Sequence, residues 1–356
     1  MKSFNELDLM IQAKEFDKLF PKGTKLPGID SIRDTLKVIV ISGLRQMNYH
    51  LIKKSIANKV FDNGTIDGYT VAAIDGTKFF GSNKKSCAEC LQSNNHNFHS
   101  GAVMATLGDG PKLVLDFEMY RPAEDSATKD EGEQTVSKRL LSNVVNEHKG
   151  LIDVVVYDAL VCNSLWFNYC IELGVDTVVR AKNNNNNSLR GVKKRANKMG
   201  EVGVWEDEKG YENVKVYEST FKMDNVDREL RYVKFLMKYP DGKRSQIMIV
   251  TTCMEMDLKS LFKIIRARWL IENSIFNNLK KECGLEHCFV HGGNAVEAVI
   301  CLIFIASNMF QLFYHRRIKR HIRTQRELVR VMFKGLYLLK RRSELIFNSG
   351  LVVIII

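Results

Sequence analysis

Apolar residues recur with different periods in different parts of the chain, and these periods predict its elements. Residues 1 to about 66 carry apolar positions at the helical period beside a basic face, which predicts an N-terminal helical region. Short apolar runs bounded by turn residues follow at 69–74, 99–107 and 111–120, and these predict strands. A polar helix is predicted next, across 130–148, with its leucines and valines turned inward.

A strand–helix–strand pattern follows this polar helix. The run 153–158 is again apolar and ends on an aspartate, a helix is predicted at 165–173, and a strand at 175–180. Together with the preceding strands, this order indicates an α/β fold. We expect the sheet to be mixed, because short connections join its first three strands whereas the later strands are separated by helices.

The next part of the chain changes to a period of two. Asn183 to Asn187 is a run of asparagines that predicts a low-complexity loop. Residues 200–252 then alternate apolar and polar positions around the turn Pro240-Asp241-Gly242, which predicts an antiparallel β section. We interpret this section as an insertion between the α/β sheet and the helix that follows.

One long helix is predicted from Asp257 to Cys288, with Asp257 as its N-cap and Gly284 as its stop. Its apolar positions recur at three- and four-residue steps, at Leu261, Ile265, Trp269, Phe276 and Leu279. A second apolar helix, Asn294 to Phe313, is expected to pack back on the sheet. The predicted organisation is an N-terminal helical region (1–66), a first core part (67–182), a β-rich insertion (183–255), a second core part (256–314) and a basic tail (315–356).

Charge narrows the choice of partners. The 356 residues include 53 Lys and Arg against 41 Asp and Glu, a net charge of +12. Such an excess indicates a polyanionic partner, either nucleic acid or an anionic membrane, unless the charge serves solubility alone. For the N-terminal helical region this leaves two readings, a small DNA-contacting domain or a packing segment.

The sequence predicts no membrane span and no secretory signal. Its most apolar stretch, 298–306, is about half the length that a bilayer requires, and a buried core helix is the better interpretation. The first residues carry no signal-peptide hydrophobic region. With eight cysteines, we therefore expect free thiols in a reducing cytoplasm.

Three carboxylates are the candidates for catalysis. Asp75 and Asp158 each end an apolar strand, and ligands collect at strand ends in such sheets. Glu272 lies on the apolar and basic helix, where a carboxylate must be paired or bind a metal. Converging carboxylates repel one another unless cations neutralise them, and two Mg²⁺ ions (or Mn²⁺) suit oxygen ligands and phosphodiester cleavage. The structural alternatives are a turn residue at Asp75, a helix cap at Asp158, and an ion pair of Glu272 with Arg268.

Three segments around these carboxylates resemble the DDE transposases of bacterial insertion sequences. They are IDGTKFF at Asp75, VVVYDALVCNS at Asp158 and RARWLIENSIFNNLK at Glu272, and the likeness extends over residues 70–315. The branch with the Tyr-Arg-Glu-Lys signature, insertion-sequence family four, is the most similar. The resemblance implies an RNase H-like catalytic core in which Asp75, Asp158 and Glu272 bind the metal ions. It also implies that Arg268 and Lys280 contact DNA phosphates, and that a homodimer acts on double-stranded transposon ends and target DNA.

The chain departs from that signature at two positions. The tyrosine would fall at Ile265, which has no hydroxyl, and the lysine would fall at Leu279, one residue before Lys280. Lys280 is about 80° around an ideal helix from Glu272, which still lets it reach the same DNA. Trp166 is either the counterpart of an aromatic that stacks on a DNA hairpin in related enzymes or a core residue.

A second set of residues has the chemistry of a zinc site. Cys87, Cys90, His96 and His99 offer the ligand types of a structural zinc, and the segment from Glu286 to His291 offers further ligands. The alternative is a polar loop with free thiols. A separate basic cluster in the tail suits either sequence-independent phosphate contacts or a solvated helix face, and it comprises Arg316, Arg317, Lys319, Arg320 and Arg323.

The sequence thus favours a DDE transposase that cleaves and transfers the strands of an insertion sequence in a metal-dependent reaction. Two other hypotheses remain open. The first is a structure-selective nuclease of the same fold, which would cut DNA without joining it. The second is an inactive remnant that only binds DNA.

Overall fold

One mixed β-sheet organises the part of the chain that the computed structural model describes, namely residues 3–16, 19–93, 95–123, 130–182, 187–207, 210–318 and 324–339. Its strands run in the order β2-β3-β1-β5-β6-β10-β9-β8-β7, and β4 pairs with β3. The strands are β1 (Val71–Ser82), β2 (Leu91–Ser93), β3 (His96–Thr106), β4 (Val114–Met119), β5 (Val154–Tyr157), β6 (Asp176–Arg180), β7 (Gly203–Asp207), β8 (Tyr211–Lys222), β9 (Glu229–Lys238) and β10 (Arg244–Thr251).

Helices flank this sheet. They are α1 (Phe4–Gln12), α2 (Ile29–Val38), α3 (Ile41–Ala57), α4 (Glu133–Glu147), α5 (Ser164–Glu172), α6 (Asn187–Met199), α7 (Leu258–Ala267), α8 (Asn277–Glu282), α9 (Gly293–Phe313) and α10 (Gln325–Leu339). A π-helical segment, Ile271–Phe276, connects α7 to α8, and a second one, Tyr314–Ile318, extends α9.

The sheet is mixed, as the connection lengths predict. β1 pairs antiparallel with β3 but parallel with β5, and β5 pairs parallel with β6 through the crossover helix α5. β10 then pairs antiparallel with β6, so β7 to β10 continue the same sheet. The antiparallel pairing predicted for 200–252 is observed in the three hairpin-connected pairs of β7, β8, β9 and β10.

The two faces of the sheet bury different helices because successive side chains of a strand point in opposite directions. Val71 and Ala73 of β1 face the side covered by α7, the first π-helical segment and α9. Ala72 and Ile74 face the side covered by α4 and α5. Trp166 of α5 is fully buried on this second side, where its Nε1 donates a hydrogen bond to Thr177 Oγ1 at 3.1 Å, so it is a core residue.

The N-terminal helices pack on the core, as the packing alternative for residues 1–66 expects. α2 and α3 contact α9, and α3 also contacts β4. Arg45 of α3 pairs with Asp116 and Glu118 of β4 and with Glu297 of α9, at 3.2, 3.2 and 2.8 Å. These partly buried charges fix α3 against both elements.

Residues Gly293–Ile318 are long and apolar enough, by length and composition, to cross a membrane. Half of an apolar 18-residue window of this helix is buried inside the protein. Ala298, Phe304 and Asn308 are among its buried residues. Asn308 accepts a hydrogen bond from the Val114 backbone N–H and donates one to Asn48 Oδ1. These contacts are those of the buried core helix that the sequence predicts.

The structure differs from the predicted elements at two places. Residues 187–199 form α6, where the sequence pattern predicts only a loop followed by strands. The helix predicted as continuous from Asp257 to Cys288 is interrupted by the first π-helical segment and ends at Glu282. Several predicted features lie outside the described residues: the asparagine loop at 183–186, the tail cations Lys319, Arg320 and Arg323, and positions 340–356 of the tail.

Candidate active site

Asp75 lies within β1, at the point where the parallel pairing with β5 ends. The last pair is Ala73 with Val156, whereas β1 itself continues to Ser82 along β3. The prediction that the strand ends at Asp75 is therefore wrong, because the hairpin with β3 extends β1 beyond the sheet's parallel part. Asp75 is two residues after Ala73 and four after Val71 on the same strand. Its side chain therefore points to the same face as theirs, the one covered by α7 and α9.

Asp158 follows β5 directly and begins a short 3₁₀ turn. If the β1–β5 register is continued by two residues, Asp158 comes opposite Asp75. Asp158 is two residues after Val156 and four after Val154, so by the alternation of side chains it lies on the same face of the sheet as they do. Its Oδ1 atom is buried and has no hydrogen-bond partner among the described residues.

Glu272 comes to this face from the first π-helical segment. Its Oε1 accepts a hydrogen bond from Arg268 Nη1 at 2.9 Å, and the same Nη1 lies 3.9 Å from Asp75 Oδ2. The charge of Glu272 also raises the pKa of Asp75. Two carboxylates that are 197 residues apart in the chain thus share one guanidinium.

The nearby carboxylates affect the pKa of Asp75. The pKa of the Asp75 carboxyl is raised to about 7, chiefly by burial and then by the charges of Glu272 and Glu133, against the opposing effect of Arg268. A carboxylate in such a place is stable when a cation neutralises it. Additional positive charge at this place would lower the pKa of Asp75.

Glu133, at the start of α4, is a fourth carboxylate beside this cluster, and no sequence pattern points to it. Its Oε1 accepts a hydrogen bond from the Tyr157 hydroxyl at 2.8 Å. A Cβ atom at Gly76 would lie 2.5 Å from the Tyr120 hydroxyl and 3.1 Å from Glu133 Oε2. Gly76 therefore lets α4 and β4 approach β1 directly beside Asp75.

Arg268 forms an ion pair with Glu272, which is the alternative to a metal-binding role that the sequence left open for this glutamate. Only 5% of its side chain is exposed, and it also lies over the Trp269 ring, as Arg180 does from β6. Its Nε is buried without a hydrogen-bond partner in the described part of the chain. The ion pair does not exclude a metal site, because the Glu272 carboxylate that accepts from Arg268 retains further lone pairs.

Lys280 lies on α8, where its Nζ is 2.7 Å from Glu286 Oε1 and 29% of its side chain is exposed. The angle predicted from an ideal helix does not hold, because the backbone from Ile271 to Phe276 is π-helical. The Asn277 N–H donates to the Glu272 carbonyl, five residues earlier. A π-helical turn accommodates one extra residue, so Lys280 is turned to roughly the angle that the residue seven after Glu272 has in a regular helix.

The carboxylates fit divalent metal ions by their chemistry. Asp75, Asp158 and Glu272 offer only oxygen atoms, which Mg²⁺ and Mn²⁺ prefer. The unpartnered Oδ1 of Asp158 and the raised pKa of Asp75 are both features that a bound cation removes.

The predicted zinc ligands are only partly brought together. Cys87, Cys90 and His99 meet, but the fourth member of the cluster is His291 rather than His96. The Nδ1 atom of His96 instead contacts Asn83 Oδ1, and its ring stacks on Phe98. His96 is excluded because it is three residues from His99 on β3 and thus projects to the opposite side of the strand.

The fold and the site together define a mixed α/β protein with an acidic cluster near the centre of its sheet. The family model of the transposase DDE domain matches residues 67–309, and the chain therefore belongs to this family and is a DDE transposase. The match begins just before β1 and ends within α9, so it includes all three predicted carboxylates. No curated protein matches the chain.

Proposed function

We propose that this protein cleaves the DNA strands at the ends of an insertion sequence and joins them to target DNA, with Asp75, Asp158 and Glu272 holding two Mg²⁺ or Mn²⁺ ions. The observation that carries the proposal is the convergence of Asp75 and Glu272 on Arg268, with Asp158 in the neighbouring register position. The bacterial group with the Tyr-Arg-Glu-Lys signature remains the branch to which we assign it.

The strand order supports an RNase H-like core. β4, β3 and β1 are antiparallel neighbours, and β5 and β6 continue parallel to β1, with helices on both faces. The antiparallel strands β7 to β10 come between the second aspartate and the glutamate, which supports their interpretation as an insertion. On this basis we retain the proposed division at residues 67–182, 183–255 and 256–314, between the helical region 1–66 and the tail 315–356.

The roles of the protein groups follow from their positions. When bound, the ions activate a water or a 3′-hydroxyl as nucleophile and stabilise the leaving oxygen. Asp75 and Asp158 hold their ligand atoms on the rigid sheet, whereas Glu272 is carried by the π-helical segment. Arg268 orients Glu272 toward Asp75 and balances their charges, and we retain a phosphate contact for it once DNA is bound.

DNA binding is supported by basic surfaces outside the carboxylate cluster. α6 buries Leu189, Val192 and Ala196, and exposes Arg190, Lys194, Arg195 and Lys198 on its opposite side. Arg190, Lys194 and Lys198 are spaced four residues apart and so form one stripe. Within the described residues, none of these four cations has an ion pair. Together with Lys280, Arg316 and Arg317, they suit sequence-independent contacts with double-stranded DNA.

Strand transfer requires two transposon ends, and we propose that a homodimer brings them together. We propose that this activity takes place on DNA in the cytoplasm and not at a membrane.

The test is metal-dependent cleavage of DNA that carries the ends of the element flanking the gene, with wild type compared with Asp75→Asn, Asp158→Asn and Glu272→Gln. We expect cleavage and joined products in Mg²⁺ with wild type, and a loss of at least about a thousandfold in each variant. DNA binding should persist in all three variants. Glu282→Gln, at an exposed glutamate of α8, is the matched control and should cleave normally.

Each other result has a definite meaning. Cleavage without joined products would indicate the structure-selective nuclease instead of the transposase. DNA binding without cleavage in wild type, in both Mg²⁺ and Mn²⁺, would indicate the inactive remnant. If the variants fail to fold whereas the control folds, the three carboxylates are structural.

A further inference from the structure

Four side chains away from the carboxylates form a compact cluster of metal-ligand type. Cys87 and Cys90 are on the loop before β2, His99 is on β3, and His291 precedes α9. Their ligand atoms all lie within 4.8 Å of one another. The geometry of this group of cysteine and histidine side chains suits one metal ion.

The distances match the edges of a zinc tetrahedron. Zn–S bonds of 2.3 Å and Zn–N bonds of 2.0–2.1 Å place neighbouring ligand atoms about 3.3–3.8 Å apart. Cys87 Sγ lies 3.5 Å from Cys90 Sγ, and each of these sulfurs lies 3.4 Å from His99 Nε2. Cys90 Sγ is 3.2 Å from His291 Nε2. Both imidazoles thus present the same nitrogen to the sulfurs.

The surroundings hold these side chains in place. Cys90 and His99 are 5% and 2% exposed, and the Phe80 ring lies against both histidines, with centroids 5.2 and 5.9 Å away. Because Gly293 has no side chain, the Glu89 carboxylate of the cysteine loop can pack directly on the backbone beside His291. The loop and the segment before α9 are therefore in close contact at the cluster itself.

We propose that Cys87, Cys90, His99 and His291 bind one structural zinc ion. Two thiolates and two imidazoles complete a tetrahedron, so no position is left open for water or substrate. Cys288 is the neighbour that supports the site, since its Sγ lies 3.9 Å from the outer nitrogen, Nδ1, of His291.

Such an ion would cross-link two distant parts of the chain. Cys87, Cys90 and His99 lie within 13 residues, whereas His291 follows 192 residues after His99. The first three are on the β1–β3 hairpin, and His291 is on the connection that leaves α8. The zinc ion thus fixes the end of the helix that carries Glu272 relative to the strand that carries Asp75.

Zinc content is the first test, and it does not depend on DNA cleavage. Protein purified under reducing conditions should contain one zinc per chain by elemental analysis, and its Tm should fall by about 5–10 °C when a strong chelator removes the metal in Mg²⁺-free buffer. Co²⁺ added to the metal-free protein should give the intense visible bands of a tetrahedral site and the sulfur-to-cobalt charge-transfer band. The cobalt spectrum tests the site in the wild-type chain, without any substitution.

Substitutions identify the ligands. Cys90→Ser and His291→Asn should reduce the zinc content below about one tenth of that of wild type, because each removes one of four bonds. Two matched controls should retain one zinc: Cys283→Ser and His96→Asn. Circular dichroism checks that each variant is folded.

Three results would overturn the proposal. The first is reduced, folded wild type that neither contains zinc nor binds Co²⁺ with these bands. The second is zinc that is retained in both Cys90→Ser and His291→Asn. The third is a Cys87–Cys90 disulfide in protein isolated from reducing cells, which would assign the pair to redox chemistry. Transposition could fail for other reasons without affecting these readouts, so the two proposals are tested separately.

Discussion

Arg268 and Glu272 form an ion pair one helical turn apart, with 2.9 Å between Nη1 and Oε1, although 95% of the arginine side chain is withdrawn from solvent. The same Nη1 is 3.9 Å from Asp75. A buried arginine between two carboxylates supplies positive charge at the place where the proposed metal ions would also bind. The contributions of Arg268 and of the metal ions to stability should therefore depend on each other.

Arg268→Met tests this dependence. Removing the guanidinium leaves Asp75 and Glu272 to repel each other, and we expect a loss of about 1–3 kcal/mol in the free energy of unfolding without divalent metal, since Glu272 is partly exposed. Saturating Mg²⁺ should recover part of that loss. Urea unfolding with and without Mg²⁺ measures both values. Arg268→Lys keeps the charge and should lose less, and an equal loss with and without Mg²⁺ in Arg268→Met would show that the two cations do not share the carboxylates.

Lys280 should assist cleavage, whereas its neighbour Lys281 should not. The π-helical segment turns Lys280 toward the angle of the signature lysine, and Lys281 is exposed beyond it. We expect Lys280→Ala to slow cleavage about tenfold, the effect of losing about 1.4 kcal/mol in the transition state, with little change in Tm. Single-turnover cleavage of end DNA measures the rate. The idea fails if Lys281→Ala slows cleavage as much as Lys280→Ala does.

The stripe on α6 should contribute salt-dependent DNA affinity. Replacing Arg190, Lys194 and Lys198 together by alanine removes three cations from one helix face. If each contacts one phosphate, the slope of log affinity against log salt should become shallower by about 2.7. Fluorescence anisotropy with duplex DNA at several salt concentrations gives this slope. As the control, the exposed Lys14, Lys22 and Lys25 are replaced by alanine, an equal change of charge that should leave the slope closer to that of wild type.

Arg45 should be essential to the stability of the N-terminal packing. It has three carboxylate partners, and burial raises the pKa of one of them, Asp116, to about 6 despite the charge of Arg45. Arg45→Met should cost about 3–5 kcal/mol, because buried carboxylates then lose their cation. Arg33→Met removes an exposed pair with Asp30 and should cost less than about 1 kcal/mol. Guanidinium unfolding compares the two, and equal losses would contradict the role of the network.

His148 should make the protein less stable in acid. Burial lowers the pKa of His148 to about 4 from its usual 6.5, with Lys53 adding to this effect and Glu147 opposing it. The unfolded chain therefore binds a proton that the folded chain does not, and stability is complete above about pH 6.5 and falls as the pH decreases toward 4. Between pH 7 and 5 this difference should amount to about 1–2 kcal/mol.

His148→Phe keeps a ring against Tyr49 and should remove this part of the pH dependence. His50→Phe, at an exposed site of α3, should leave the wild-type dependence unchanged. Unfolding measured at several pH values gives the comparison. A pH dependence that is the same in His148→Phe and wild type would assign the acid sensitivity to other groups.

Periodicity and strand-end chemistry were sufficient to predict much of this molecule. The buried runs before Asp75 and Asp158 form adjacent strands, Asp257 caps α7 by accepting from two backbone N–H groups, and the alternating section 200–252 forms antiparallel strands. These features are local, because side-chain period and capping are decided within a few residues.

Other features could not be predicted because they depend on tertiary contacts. Ile271 and Phe276 of the π-helical segment are buried in the core, and no residue type identifies the segment in the sequence. Glu133 lies near Asp75 because Gly76, which has no side chain, lets α4 pack closely against β1. His291 replaces His96 in the cysteine cluster through a contact across 201 residues from Cys90, which spacing within a loop cannot reveal.

If the proposed carboxylates are catalytic, the chain order also determines when the site can be completed during synthesis. Asp75 and Asp158 emerge from the ribosome early, but Arg268, Glu272 and the covering helix α9 follow only after β7 to β10 have been made. A nascent or prematurely terminated chain that lacks α7 has two of the three carboxylates and no partner for them. Under the proposed function, incomplete translation products therefore lack a complete site for DNA cleavage.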